Sequence, residues 1–312
     1  MQQPLPAPGH GEVLVRINAI GLNYGDSAFR RGAYLTQPKF PASLGVEACG
    51  TVVCIGPDVL GFKEGDRVIA LPNFPVGQYG TCASEAILPA RCLFPAPPEL
   101  SDVQCASNFI AFLTAYGALI ETASVQRSDR VLITAVSSTV GIAAVQVAMD
   151  AGAQPIGVTR SQQKMAEIAN LGALPVAVSN EYATWRDDIS AAIGNDPVKV
   201  IFDSVAGDCV ANLMPLLADY GMHIVYGGMA ERDSIFPRKE MIRRNLSLRG
   251  YQFMDALNRV DYMNEAMQYI SPRISSGAFG IPISRSFPLT EITKAYEYME
   301  NGSRWGKVVV VP

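Results

Sequence analysis

The stretch Val131–Gly152, VLITAVSSTVGIAAVQVAMDAG, decides the fold. Its first four residues, Val131–Thr134, are apolar and partly β-branched, which is typical of a short strand buried on both faces. Ser137–Thr139 supply turn and helix N-cap chemistry, and small apolar residues then continue to a terminating glycine. A strand, a tight turn and a helix N-terminus in this order aim unpaired backbone N–H groups and the positive end of a helix dipole at one point. The stretch therefore predicts a phosphate-binding turn.

Two uncharged runs have to be weighed as membrane spans. The first lies between Arg130 and Asp150, and its Ser-Ser-Thr turn divides it into halves far shorter than the roughly 20 residues that a span requires. The second lies between Asp102 and Glu121, and its glutamine, serine, asparagine and threonine side chains favour a buried helix that links two domains. We therefore expect no membrane-spanning segment.

Composition limits the function classes. The chain has 312 residues, of which 49% are hydrophobic and 17% charged, so it is long enough to bury two cores. Its net charge of -4 and pI near 5.3 leave no basic field, and we expect no nucleic-acid partner. The six cysteines form no C-x-x-C pair, which predicts reduced thiols and a cytoplasmic location. Neither histidine stands at metal-ligand spacing, so no zinc site is expected, and His223, within an apolar run, is interpreted as a core or strand-end residue.

The order of predicted elements gives two domains. Short β-like runs in the first third predict a compact β domain; they are Glu12–Ile20, Ala48–Ile55, Asp66–Ala70 and Gly80–Leu88. Segments 21–32 and 71–79 are predicted loops that could line a cleft. From 130 onward, strands are predicted at 131–134, 155–158, 175–178, 198–205, 223–226 and 246–253. Helices are predicted between them at 139–151, 161–171, 182–193, 207–218 and from 237. This alternation indicates an α/β, doubly wound parallel sheet. The last strand, 307–311, is expected to rejoin the first domain.

The residues after the second strand of the sheet indicate the dinucleotide. A fold that prefers NAD places an acidic side chain there, about 20 residues past the phosphate turn, to hold the ribose 2′-hydroxyl. This chain instead has Arg160 and Lys164, separated by serine and glutamine residues. A guanidinium can bind a 2′-phosphate in a bidentate manner and an ammonium adds a point charge, so the sequence predicts NADPH. The alternative is that both are ordinary exposed residues at a helix start.

Seven sequence blocks occur in order along the chain. They are GLNYGD at 21–26, LGVEACGTVVCIG at 44–56, FKEGDRV at 62–68, LTAYGAL at 113–119, AVSSTVG at 135–141, FDSVAG at 202–207 and GKVVV at 306–310. Together they resemble the zinc-free quinone oxidoreductases, the zeta-crystallin-like branch of the medium-chain dehydrogenase/reductase superfamily. The resemblance implies a GroES-like β-barrel catalytic domain, 1–106 with 252–312, and a Rossmann NADPH-binding domain, 107–251. By the same comparison, the first hairpin of the family is expected to be missing.

The chain also departs from related families. Zinc alcohol dehydrogenases of this superfamily have cysteine where this chain has Asn23 and histidine where it has Val46, and their four-cysteine lobe is absent. The resemblance therefore implies no metal site. Ser138 and Thr139 replace glycines of the family in the phosphate turn.

The resemblance also implies site residues. Asn23 would contact the nicotinamide or a substrate carbonyl, with Tyr24 and Asp26 beside it. The alternative is structural, because Asn-Tyr-Gly-Asp also forms a good turn in which Asp26 satisfies backbone N–H groups. Tyr34, Tyr79 and Tyr116 are weaker candidates, for which packing is the alternative. The cofactor would be bound by Thr114, Ser137, Ser138, Thr139, Val140, Arg160, Lys164, Ser204, Val205, Tyr226, Gly227, Gly228, Gly306 and Lys307. Lys307 could instead be an exposed lysine of an edge strand.

These features predict an NADPH-dependent oxidoreductase without zinc. Hydride acceptors conjugated to a carbonyl, such as quinones and α,β-unsaturated carbonyls, suit a metal-free site because the developing charge is delocalised. One alternative is an enoyl-thioester reductase, either free or cut from a larger synthase. Another is a dinucleotide-binding protein without turnover, with a redox-sensing, structural or RNA-associated role. Because segment 246–253 would be an edge strand, we expect it to pair across a two-fold axis in a homodimer.

Overall fold

The computed structural model describes residues 5–194, 196–230, 232–301 and 304–312. The chain divides into two compact units. We call the part through Ile110 and from Leu257 onward the terminal unit, and Ala111–Ala256 the central unit. The sequence placed these boundaries at 106/107 and 251/252. No loop marks the first boundary, because one continuous helix runs across it.

In chain order, the strands are β1 Glu12–Gly21, β2 Ala48–Ile55, β3 Arg67–Ala70, β4 Glu85–Pro89, β5 Leu93–Pro95, β6 Arg130–Ile133, β7 Gln154–Thr159, β8 Leu174–Ala177, β9 Val198–Asp203, β10 Leu217–Val225, β11 Ser247–Gly250, β12 Ile283–Pro288 and β13 Lys307–Val311. The helices are α1 Tyr24–Arg30, α2 Asp102–Tyr116, α3 Thr139–Asp150, α4 Met165–Asn170, α5 Trp185–Ile193, α6 Cys209–Leu213, α7 Arg238–Arg244, α8 Val260–Ser275 and α9 Ile292–Glu300.

The central unit is built on a six-stranded sheet in the order β11-β10-β9-β6-β7-β8. All of its strand pairs are parallel, which confirms the doubly wound sheet predicted from the sequence. Its core is formed by apolar side chains of these strands and of helices α5 and α6. The strand order runs outward in both directions from β6, so the residues that follow β6, β7, β9 and β10 lie at the edge where such folds bind ligands.

The terminal unit contains a seven-stranded sheet in the order β12-β13-β1-β2-β3-β5, with β4 paired to β1. The long strand β1 pairs antiparallel with β2, β4 and β13. Its core combines the inward-facing residues of these strands with helix α9. Because β13 lies between β12 and β1, its first residue, Lys307, is not on an exposed edge strand. That alternative for Lys307 is wrong.

The structure corrects several predicted elements. Segment 21–32 is not only a loop, because α1 forms within it. The helix predicted at 207–218 ends early: α6 stops at Leu213, and a 3-10 turn that contains Pro215 leads into β10 at Leu217. Proline lacks the N–H that would continue the helix, and pairing of Leu217 with Val198 extends the strand. Strand β4 begins at Glu85 rather than 80, β11 covers only part of 246–253, and strand β12 was not predicted.

Helix α2 continues into a π-helical segment, Gly117–Thr122. The combined helix Asp102–Thr122 is long and apolar enough to cross a membrane by length and composition, but 83% of its apolar window is buried inside the protein. Such burial is that of a core helix.

Candidate functional site

The turn between β6 and α3 has the geometry expected of a phosphate-binding turn. Ala135 adopts a left-handed conformation with φ of 44°. The Ser138 hydroxyl caps α3 by accepting a hydrogen bond from the Gly141 N–H at 3.1 Å. A Cβ atom on Gly141 would lie 2.7 Å from the Val136 backbone, so only glycine allows the helix to approach the turn this closely. The half-exposed residues Ser137–Val140 therefore surround the N-terminus of a 12-residue helix.

A cation lies beside this turn. The ammonium Nζ of Lys164 is 3.2 Å from the hydroxyl Oγ of Ser137, and only 8% of Lys164 is exposed. Lys164 is held at the end of a 3-10 turn that follows β7. Arg160, directly after β7, is exposed. The structure thus places one cation at the phosphate turn and a second at the end of the neighbouring strand.

The carboxylate of Asp203 organises the next strand end. Asp203 Oδ1 accepts hydrogen bonds from the Thr134 hydroxyl at 2.7 Å and from the Val205 N–H at 2.8 Å. Its Oδ2 accepts from the Ala206 N–H at 3.2 Å and lies 3.0 Å from His223 Nε2. Burial opposes ionisation, but these hydrogen bonds, that of His223 foremost, hold the pKa of Asp203 below its usual value. One buried carboxylate therefore ties together the ends of β6, β9 and β10.

This arrangement fixes the predicted cofactor residues that follow β9. Ser204 N–H donates to the Thr134 hydroxyl at 3.0 Å. Ser204 and Val205 are both buried, with 8% and 6% exposure. Their carbonyl oxygens accept hydrogen bonds from Met229 and Ala230, which lie just beyond the predicted Tyr226–Gly228 turn. The structure therefore brings the Ser204 and Tyr226 segments together.

Tyr226 follows β10 directly and stacks on Phe202, with ring centroids 4.0 Å apart and an interplanar angle of 15°. Its hydroxyl oxygen is buried without a hydrogen-bond partner among the described residues. Burial raises the pKa of this hydroxyl above its usual value. A Cβ on Gly227 would lie 2.9 Å from the Ser204 carbonyl oxygen, whereas one on Gly228 would meet nothing within 4 Å. The Ser204 and Ser138 side chains lie near the Tyr226 hydroxyl and partly oppose the pKa shift, and a polar ligand would complete its hydrogen bonding.

The terminal unit holds a separate polar cluster, which we call the Asn23 network: Asn23, Glu47 and Lys307. The ammonium of Lys307 lies 2.5 Å from Glu47 Oε2, and both side chains have 0% exposure. Lys307 Nζ also donates to Asn23 Oδ1 at 2.8 Å. Asn23 Nδ2 donates to Glu47 Oε2 at 3.2 Å and to the Gly21 carbonyl oxygen at 3.1 Å. Lys307 was predicted to bind the cofactor; here its ammonium is buried and has two protein partners.

Asp26 lies next to this network. Its Oδ2 accepts a hydrogen bond from the Asn23 backbone N–H at 3.0 Å, which confirms the turn-capping role considered from the sequence. Only 3% of Asp26 is exposed. Burial raises the pKa of Asp26 to about 7, although the Asn23 N–H and Lys307 oppose the shift. Asp26 therefore changes charge near neutral pH.

The other predicted residues have the following surroundings. The hydroxyl of Tyr24 accepts a hydrogen bond from Arg31 at 3.1 Å. Tyr79 donates to Glu12 Oε1 at 2.8 Å, in agreement with the packing alternative for this tyrosine.

Thr114 and Tyr116 are buried on α2. Gly306 has φ of 92°, and a Cβ there would lie 2.0 Å from the Pro282 carbonyl oxygen. The backbone therefore requires glycine at this position. The ring of Tyr34 lies over Gly25, where an added Cβ would be 3.3 Å from the ring.

Sequence reasoning missed two organising groups. Glu47 lies in one of the matching sequence blocks, directly before the apolar strand β2, and its position there is the one local signal that it carries. Asp203 ends an apolar strand in the same way, and His223 was interpreted only as a core or strand-end residue. Its burial confirms that interpretation, and its contact with Asp203 adds to it.

Comparisons with known proteins agree with this architecture. Residues 9–135 match the alcohol dehydrogenase GroES-like domain, and residues 139–271 match the zinc-binding dehydrogenase family. The solved quinone oxidoreductase of Thermus thermophilus, which was also determined with NADPH, is 30% identical with a TM-score of 0.83, covering 100% of this chain and 95% of that one.

Two curated relatives show the same likeness in sequence. The quinone oxidoreductase-like protein 2 homolog of Nematostella vectensis is 28% identical over 305 residues, 97% of this chain and 82% of the relative. The 2-haloacrylate reductase of a Burkholderia species is 28% identical over 320 residues, 98% of this chain and 92% of the relative.

The two matched domain types define a two-domain dehydrogenase, which confirms the GroES-like and Rossmann fold expected from the sequence. The chain belongs to the quinone oxidoreductase branch of the medium-chain dehydrogenase/reductase superfamily, and it is an oxidoreductase of the class that these relatives represent.

The raised pKa of Asp26 makes a prediction about stability. Its folded-state pKa, about 7, exceeds its ordinary value of 3.8, so between these pH values the folded protein binds more protons than the unfolded chain. The free energy of unfolding should therefore fall as pH rises from 4 to 7, by at most about 4 kcal/mol from this group. Asp26→Asn keeps an oxygen that accepts the Asn23 N–H. We expect this variant to remove the fall in the free energy of unfolding and to be more stable than the wild type above pH 7.

The measurement is denaturant unfolding of both proteins at pH 5 and pH 8. Asp66→Asn is a matched control, because Asp66 accepts the Lys63 N–H at 2.9 Å in the same spacing on an exposed turn. Equal pH dependence in the wild type and Asp26→Asn would contradict the assignment.

Proposed function

We propose that this chain transfers hydride from NADPH to a quinone or an α,β-unsaturated carbonyl compound without a zinc ion. The observation that carries this proposal is a cation at the phosphate turn together with a second cation at the end of the neighbouring strand. Lys164 contacts Ser137 on that turn, and Arg160 follows the neighbouring strand where an acidic residue would favour NAD. A 2′-phosphate carries the charge that two cations complement.

The residues present fit a dinucleotide. The N-terminus of α3 offers backbone N–H groups to a diphosphate, and Ser137 and Ser138 add hydroxyls. The orphaned Tyr226 hydroxyl and the open space at Gly228 leave room for a ligand beyond β10. The solved Thermus relative, which was determined with NADPH, supports the choice of cofactor.

The residues present do not fit a catalytic zinc ion. Where zinc alcohol dehydrogenases of this superfamily have cysteine, this chain has Asn23, and an ammonium and a carboxylate already occupy its surroundings. Within the described ranges, no group of three or more His, Cys, Asp or Glu side chains could hold a metal ion. We therefore interpret the match to a family described as zinc-binding dehydrogenase, over residues 139–271, as a match of fold.

The chemistry then follows from orientation. NADPH supplies the hydride when it is bound. The chain positions the adenosine end through Lys164 and Arg160 and the diphosphate through the turn before α3, which converts the encounter of the reactants into a single oriented complex. Acceptors that spread the developing negative charge over a conjugated system need little further stabilisation, and water can return the proton.

Reduction of other activated alkenes is the second candidate. The likeness to a 2-haloacrylate reductase supports substrates in which a carboxylate, rather than a ketone, activates the double bond. An enoyl thioester belongs to the same chemical group.

We also propose a homodimer. Strand β11 is the edge of the six-stranded sheet, and three of its four residues are exposed. An unpaired parallel edge in an otherwise covered sheet is a place where a second copy adds a strand. Exposed Ile242, with 69% exposure, lies on α7 immediately before this strand and adds apolar surface. The cytoplasmic location remains a prediction.

Arg160→Glu tests the phosphate assignment. It replaces a guanidinium by a carboxylate, so we expect NADPH to bind about 10- to 150-fold more weakly while NADH binding changes little. Dissociation constants for both cofactors can be measured by nicotinamide fluorescence. Arg127→Glu is the control, because it makes the same charge change at the opposite edge, before β6. Equal weakening of NADPH and NADH by Arg160→Glu would refute the assignment.

A panel of acceptors tests the substrate class. We expect NADPH oxidation with a simple benzoquinone and with a conjugated enone to exceed that with acrylate, crotonyl thioester and isolated aldehydes, because the first two delocalise charge best. Absorbance of NADPH gives kcat/KM for each acceptor. A preference for the thioester would favour the enoyl reductase, and NADPH binding without oxidation of any acceptor would favour a non-catalytic role.

Light scattering tests the dimer. One chain has a mass of 33.5 kDa, so we expect a solution mass of twice that value at micromolar concentration. On dilution, backbone amides of β11 should exchange with solvent faster than those of β9 in the sheet centre. A mass of one chain at all concentrations would contradict pairing.

A further inference from the structure

His223 and Asp203 form a buried pair within the sheet of the central unit. Both side chains have 0% exposure, and Nε2 of His223 lies 3.0 Å from Asp203 Oδ2. His223 lies on β10 and Asp203 ends β9, which are neighbouring parallel strands. Because neither side chain reaches the surface, any effect of the pair on a ligand has to pass through other residues.

The contact with Asp203 selects one form of the His223 ring. Burial opposes ionisation of Asp203, yet its pKa still lies below the usual value, so at neutral pH Oδ2 can only accept a hydrogen bond. The facing nitrogen, Nε2, must then carry a hydrogen. The other nitrogen, Nδ1, is buried and has no hydrogen-bond partner among the described residues. A buried polar atom left in this way has a cost that an apolar side chain at this position would not have.

The oxygen Oδ2 of Asp203 depends on His223 more than on its other partners. The N–H of Ala206 is farther away, at 3.2 Å. The thiol of Cys209 lies 3.4 Å from Oδ2 but 3.0 Å from the Ala206 carbonyl oxygen, so its single hydrogen cannot serve both fully. Loss of the His223 N–H would therefore leave one oxygen of a fully buried carboxylate poorly satisfied.

The same carboxylate holds an unfavourable part of the backbone. Ala206 has φ of 58°, in the left-handed region that alanine seldom adopts, and the next residue, Gly207, has φ of 60°. The N–H groups of Val205 and Ala206 both donate to Asp203. Since such a conformation persists only where the surrounding structure fixes it, the two hydrogen bonds to Asp203 account for the shape of this turn.

The turn carries backbone that the cofactor assignment uses. The carbonyl oxygen of Ser204 accepts the Met229 N–H at 3.1 Å, and that of Val205 accepts the Ala230 N–H at 3.0 Å. A change in the conformation of 204–207 would therefore displace the residues after β9 and, through these two hydrogen bonds, the segment after β10.

We propose that His223 is a positioning residue for the dinucleotide. Its Nε2–H fixes the Asp203 carboxylate, and this carboxylate holds Ala206 in the left-handed conformation. Ser204 and Val205 are thereby kept in place for a bound cofactor. This inference rests on the proposed function, because it concerns the cofactor of that reaction. All of these residues belong to the central unit.

Nitrogen NMR tests the first step in the unaltered protein. The chain has only two histidines, His10 and His223, so labelling with nitrogen-15 histidine gives two sets of ring signals, which the His10→Gln variant assigns. At about pH 8 we expect the Nε2 signal of His223 to be that of a proton-bearing nitrogen. A hydrogen on Nδ1 alone would overturn the inference.

Two substitutions of His223 separate the hydrogen bond from the packing. Glutamine can place an amide N–H near the position of Nε2, whereas methionine fills the space without a donor. We expect His223→Met to bind NADPH and NADH about 5- to 30-fold more weakly, the range for one left-handed alanine that has to be formed again on binding. His223→Gln should stay close to the wild type. Dissociation constants are measured by nicotinamide fluorescence, and His10→Met is the control because the His10 side chain is exposed.

A change at Ala206 keeps the test valid if His223→Met also lowers stability in general. Glycine adopts the left-handed conformation without the cost that alanine has, so a turn with Ala206→Gly depends less on Asp203. We expect His223→Met to weaken dinucleotide binding much less in the Ala206→Gly background than in the wild type. A general structural role of His223 would give the same loss in both backgrounds.

The outcomes are distinct. Unchanged dinucleotide binding by His223→Met, or an equal loss with Ala206 and with glycine at that position, would overturn the inference. Failure of the proposed function would appear separately, as equal effects of Arg160→Glu on NADPH and NADH or as binding without oxidation of any acceptor.

Discussion

A buried carboxylate must be surrounded by hydrogen-bond donors, and this constraint shapes both units. In the central unit, Asp203 gathers the Thr134 hydroxyl, two backbone N–H groups and His223. In the terminal unit, Glu47 gathers Lys307, the Asn23 amide and the Ile110 N–H. Leaving such a group without partners would carry a large desolvation penalty. Each carboxylate therefore fixes the segments that supply its donors, and those segments carry the candidate site residues.

The exposed ligand edge of the central unit carries charge of the opposite sign to these buried carboxylates. Here the ligand edge is cationic, because Lys164 faces the phosphate turn through Ser137 and Arg160 is exposed to solvent. Asp203 is fully buried, and its carboxylate is held by hydrogen bonds with Thr134, His223 and two backbone N–H groups. The dipole of α3 adds a partial positive charge at the same place. A ligand with several phosphates fits this edge better than a neutral one.

Local patterns predicted the central unit well and the terminal unit less well. The alternation of buried strands and small-residue helices specifies a parallel sheet because each strand depends mainly on its neighbours in sequence. The errors arose where tertiary pairing overrides local preference, as at 217–222, which pair with β9 as a strand. The Asn23 network could not be predicted, because its members are 24 to 284 positions apart and nothing in their local sequence shows that they meet. The partners of these side chains required the fold.

The Asn23 network also differs from a metal site in the charge that it can present. A metal ion retains net positive charge after its ligands bind, and that charge can polarise an isolated carbonyl. The ammonium of Lys307 cannot do the same, because Glu47 neutralises it within a hydrogen bond and both groups are shielded from the surface. The network as a whole is therefore close to neutral, and Asn23 is its one member that is not fully buried. Under the function proposed above, such a network supplies no net charge to a carbonyl, so the acceptor itself has to delocalise the electrons that it receives.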